Sequence, residues 1–72
     1  MVRFQKMMAG HYRVIGNTVF AHISHDRSVP RHRWKSTIRN CVDAKILRYA
    51  GLWPTLREAR AESTRLIKQI EG

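Results

Sequence analysis

Cys41 is the only cysteine among the 72 residues, so no disulfide can close within them. That usage suits a reducing cytoplasm. No stretch approaches the roughly 18–20 consecutive apolar residues that a bilayer-spanning helix needs. The opening MVRFQKMMAG has no apolar run of signal-peptide length. From these absences we expect a soluble cytoplasmic protein with no export signal. A glycine-rich phosphate loop and a dinucleotide fingerprint are also missing. A chain near this length buries only about 60–65% of its unfolded surface, which allows one thin core. A cleft with several convergent catalytic groups is hard to build from it, so we expect no enzyme.

Acidic residues are scarce: five Asp and Glu stand against fourteen Lys and Arg, for a formal charge of +9. The apolar content of 43% is ordinary for a folded protein, so the charge does not signal disorder. Its placement is uneven. Residues 1–48 hold ten Lys or Arg against Asp26 and Asp43, a balance of +8. Residues 49–72 hold Arg57, Arg60, Arg65 and Lys68 against Glu58, Glu62 and Glu71, a balance of +1. The last third reads as a supporting element and the rest as a polycation, which points to an anionic partner, nucleic acid first.

Residues 1–10 show neither clean alternation nor a helical stripe, and read as a flexible arm or an edge strand; Arg3 and Lys6 would suit an arm beside nucleic acid. In HYRVIGNTVFAHIS, β-branched and aromatic residues flank Gly16-Asn17, which predicts a hairpin with strands at about 11–15 and 18–24. Val19, Ala21 and Ile23 share one face; Thr18, Phe20 and His22 share the other. HDRSVPRH then reads as an exposed loop. RWKSTIR, residues 33–39, alternates cleanly, with Trp34, Ser36 and Ile38 on one side and Arg33, Lys35, Thr37 and Arg39 on the other. We expect Trp34 to be a core anchor and Trp53 a cap on the core. KILRYAG, residues 45–51, reads as the last strand with its facing open. Either Ile46, Arg48 and Ala50 point together, or Leu47 and Tyr49 are the core pair and Arg48 joins the basic face; a bulge would reconcile both.

After Trp53-Pro54, Thr55 precedes Glu58 by three residues, a capping-box spacing. Leu56, Ala59, Ser63, Leu66, Ile67 and Ile70 then form one stripe at helical intervals. A helix of about 15 residues cannot stand alone, so its stripe must cover a sheet. The expected fold is α+β: a single domain over residues 11–72, with a small antiparallel sheet of three to four strands packed on one face by a C-terminal helix. The other sheet face is left for a partner. Arg33, Lys35 and Arg39 would point together there and reach bases or phosphates. Arg27, Arg31 and His32 in the preceding loop would straddle phosphates, and Arg13 and Lys45 would flank the sheet. Arg48 and Tyr49 complete the candidate surface in one of the two facings.

The stretch RHRWKSTIRNCVDAKILRYAGLWPTLREARAE resembles AP2-type DNA-binding domains and the three-stranded N-terminal arms of tyrosine integrases. The shared pattern falls on Trp34, Ile38-Arg39, Gly51, Trp53, Thr55 and Glu58-Ala59, and spans about half the chain. The resemblance implies a sheet lying in the major groove with a helix supporting its back. It would place Lys35, Thr37 and Arg39 on the DNA side, with Tyr49 standing for a family aromatic.

Other chemistry fits poorly. His22, His25, His32 and Cys41 do not follow the paired spacing of structural zinc sites, so no metal is expected. The histidines, His11 included, read as surface groups that add positive charge when protonated. Cys41 lacks a base beside it. The expected partner is therefore duplex DNA, with RNA second and no cofactor. The roles open to such a protein are phage or mobile-element regulator, recombination accessory or architectural factor. The competing reading is a small interaction module or phage-encoded inhibitor that docks on a host or regulatory protein without binding nucleic acid. Monomer and edge-paired homodimer both remain open.

Overall fold

Among the described residues, five strands and one helix follow in chain order: β1 (Arg3–Met8), β2 (His11–Ile15), β3 (Val19–His25), β4 (Trp34–Asn40), β5 (Ile46–Trp53) and α1 (Leu56–Glu71). The computed structural model describes residues 2–27 and 33–72. All pairings are antiparallel and the strand order is sequential, β1-β2-β3-β4-β5. This is the expected α+β arrangement, with α1 across one face. The sheet, however, has five strands rather than three to four. The first ten residues supply the extra one, as an edge strand. Its register slips between Lys6 and Met8, and that irregularity breaks the period-2 pattern by which a strand is recognised.

The helix-side face carries the apolar set of each inner strand. Val14, Val19, Ala21, Ile23 and Ile38 pack against Ala59, Leu66 and Ile67 of α1. Ile23, Ile38 and Ile67 are fully buried. Trp34, Trp53, Tyr12 and Phe4 are partly buried around this cluster, so Trp34 borders the core rather than filling its centre. Beneath the helix two small hydroxyls meet: Ser36 Oγ and Ser63 Oγ lie 2.6 Å apart, both fully buried. Their mutual hydrogen bond satisfies groups whose burial alone would cost about 1–3 kcal/mol.

Helix α1 begins as its sequence predicts. Thr55 is extended and its hydroxyl accepts from the Glu58 amide at 3.2 Å. At the other end the Gly72 amide donates to the Lys68 carbonyl. The helix contacts β2 to β5, and reaches β1 through the Arg60 guanidinium, 4.1 Å from the centre of the Phe4 ring.

The last turn of α1 also fastens the β2–β3 hairpin. The Glu71 carboxylate accepts from the backbone amides of Asn17, Thr18 and Val19 and from the Thr18 hydroxyl. These donors hold its pKa down at about 2, the Asn17 and Thr18 amides contributing most. Gly16 is required here by space. A Cβ on it would fall 2.6 Å from Glu71 Oε1 and 2.7 Å from Ile67 Cγ2. The turn itself lies one residue later than expected, centred on Asn17-Thr18, with the Gly16 amide donating to the Val19 carbonyl at 2.9 Å. Neither central residue has positive φ, so this is not the Asn-Gly type of tight turn.

Candidate nucleic-acid interface

On the face away from α1, the registers align side chains into three rows that cross all five strands. One row runs Arg3, Ile15, Phe20, Arg39, Ile46. The central row runs Gln5, Arg13, His22, Thr37, Tyr49. The third runs Met8, His11, Ser24, Lys35, Leu52. None of these fifteen positions is acidic. The two acids of this half lie outside the rows: Asp26 follows β3, and Asp43 sits in the β4–β5 turn, where its carboxylate accepts from the Lys45 amide. Among the described residues, Arg3, Arg13, Lys35 and Arg39 form no ion pair.

The cations are steadied by rings and backbone. The Arg13 guanidinium carbon lies 4.9 Å from the Phe20 centroid, and Lys35 Nζ lies 5.2 Å from that of Tyr49. Arg39 Nη1 donates to the Ala44 carbonyl at 2.9 Å. Cation–π contacts of this kind contribute about 0.5–1 kcal/mol each and limit how many rotamers the long side chains sample. Tyr49 is 62% exposed, so its ring belongs to the surface. Beside Arg13, the rings of His11 and His22 stack at 5.6 Å with planes 10° apart. Burial, then His11, Arg39 and Arg13 in that order, push the His22 pKa below its ordinary value.

The nine candidate residues are only partly gathered. Lys35, Arg39, Arg13 and Tyr49 stand on the rows. Arg33 is exposed just before β4, and its carbonyl accepts from the Asp26 amide at 3.0 Å. Lys45 is exposed before β5 at one end of the face, and Arg27 is exposed after β3 at the other. Arg31, with His32, lies outside the described residues.

Arg48 is a correction. It pairs with Ile38, a helix-side residue, and so departs from the basic face. Irregularities between Ser36 and Thr37 and between Ile38 and Arg39 set β5 out of simple alternation, sending Tyr49 outward while Arg48 follows the other parity. Neither facing proposed for this strand holds whole, and Leu47 is 53% exposed rather than core.

Gln5, His11 and His22 belong to the face although they were not expected as contacts, and Arg3, expected only within an arm beside nucleic acid, joins them from β1. For His11 and His22 the signal was available, since His11 shares parity with Arg13 and His22 with Phe20. Arg3 and Gln5 were hidden by the slip in β1. Among the described residues, His, Cys, Asp and Glu nowhere gather in threes as a metal site would need. Among the described residues no helix is long and apolar enough to cross a membrane. Comparison with protein-family models, curated proteins and solved structures finds no match.

Proposed function

We propose that the chain binds duplex DNA with the open face of its sheet. The observation that carries this reading is the make-up of the three rows: Arg3, Arg13, Lys35 and Arg39 with no carboxylate among them. A surface of that composition repels itself and is relieved by a polyanion. The resemblance to AP2-type domains supports the same face, because it puts Lys35, Thr37 and Arg39 towards DNA.

Size constrains the pose. Strands about 4.8 Å apart make the sheet about 19 Å wide from β1 to β5, whereas the major groove is about 12 Å wide. Three strands span about 10 Å and fit. In this reading β4 enters the groove between β3 and β5, where Arg39 and Lys35 meet base edges or phosphates. Arg13 and Arg3 then lie over the flanking backbone, and Arg33 and Lys45 reach phosphates at the two ends of β4.

The test is a duplex titration at two salt concentrations with the variant carrying Arg33→Ala, Lys35→Ala and Arg39→Ala. Wild type should bind at about micromolar Kd or tighter and weaken steeply as salt rises. The triple variant should stay folded, lose most of the affinity and show a shallower salt slope. Equal binding by the two proteins would sink the proposal. Weak duplex binding by wild type, with one protein recovered stoichiometrically from a lysate, would replace it with the protein-docking reading.

A further inference from the structure

The centre of the open face carries more than loose positive charge. Arg13 and Thr37 flank His22 in the central row, on β2 and β4. Arg13 Nε and Thr37 Oγ1 are both buried and have no hydrogen-bond partner among the described residues. Two orphaned polar atoms on either side of one imidazole are unusual, since buried polar groups are nearly always paired. His11 stacks on His22 from β2, and Arg39 stands one row away on β4. Around His22 the groups from each neighbouring strand are therefore Arg13 and His11 from β2, and Thr37, Arg39 and Lys35 from β4. Phe20 and Ser24 flank it on β3. Gln5 of β1 lies beyond Arg13. All the charged or titratable groups in this set are cationic or become so on protonation.

We infer that Arg13, His22 and His11, with Arg39, form a subsite for one backbone phosphate, and that seating the phosphate draws a proton onto His22. This rests on the nucleic-acid reading and adds its regulation. In the free chain, burial and the surrounding cations disfavour His22 protonation. An anion set among the same groups reverses the electrostatic part of that bias. Proton uptake and phosphate binding then reinforce each other. The linkage has a definite sign: affinity rises as pH falls through the interval between the free and bound pKa values of His22. Each proton taken up gives at most about tenfold per pH unit inside that interval.

Two measurements test this. In the first, one duplex of fixed sequence is titrated from about pH 8 to about pH 5.5 at constant salt, with folding followed by circular dichroism. Wild type should bind about tenfold tighter at the acidic end, and His22→Gln should flatten the profile. A flat wild-type profile, or a slope unchanged in both His22→Gln and His11→Gln, overturns the subsite while leaving DNA binding itself intact.

In the second, NMR follows the His22 ring when sulfate, a dianion throughout this range, replaces chloride at equal ionic strength. The His22 pKa should rise in wild type and not in Arg13→Gln. No rise in wild type sinks the inference. A rise without duplex binding at any pH keeps the anion subsite and removes the DNA reading.

Discussion

The two faces of this sheet are made by the same five strands and have opposite chemistry. At adjacent positions on β4, Ile38 is fully buried beneath the helix while Arg39 extends over the open face. Alternate residues thus serve stability on one side and charge on the other. The helix makes this possible by sealing one side only. Among the described residues no second helix covers the other side.

Substitutions on the two sides should therefore separate cleanly, and the largest effect tests the sealed side. Ile38→Ala should destabilise by about 2–5 kcal/mol, measured by urea unfolding. Its counterpart on the open face of the same strand, Lys35→Ala, should change stability by no more than about 1 kcal/mol, the size of its contact with the Tyr49 ring, while weakening duplex binding. If Lys35→Ala unfolds the chain as Ile38→Ala does, the two-sided division fails.

Next in size is Glu71→Gln, expected to cost about 1–2 kcal/mol by removing a charged acceptor from three amides and a hydroxyl. Because the folded pKa of Glu71 is depressed from 4.5 to about 2, its stabilisation is complete above about pH 4.5 and is lost as pH falls towards 2. An acid unfolding series should show wild type and Glu71→Gln converging over that interval.

Ser63→Ala should cost about 1–2 kcal/mol by orphaning the Ser36 hydroxyl. The double variant Ser36→Ala, Ser63→Ala should recover part of that loss, because both partners leave together. Smallest is Ala44→Gly. Ala44 has φ of 60°, a left-handed conformation that glycine adopts more easily, so the variant should gain about 0.5–1 kcal/mol in thermal unfolding.

Legibility in the sequence followed strand regularity. β2, β3 and β4 alternate without interruption, so the sides of Val19, Ala21, Ile23, Trp34, Lys35 and Arg39 could be read directly. β1 and β5 are both sheet edges and both carry register irregularities, which moves residues between faces without leaving a local composition signal. That is why Arg3 was read as part of an arm or edge strand, Gln5 was missed and the facing of Arg48 stayed open. The hairpin turn moved by one residue for a different reason. What holds its amides is Glu71, more than fifty positions away, and no window around Gly16 contains it. The helix was legible because Thr55, Glu58 and the apolar stripe are all local to it, except that Ile70, expected in the stripe, is 43% exposed.

The sequential strand order carries a kinetic consequence. Each of the four ladders joins neighbouring segments, so the sheet can zip up through short loop closures, whereas the Glu71 junction closes a span of 54 residues. The hairpins are then available to form early, with the tail of the helix engaging its turn last. A contact made after the rate-limiting step leaves the folding rate alone and slows unfolding. On that ordering Glu71 acts as a latch: it sets how long the molecule stays folded, not how quickly it gets there.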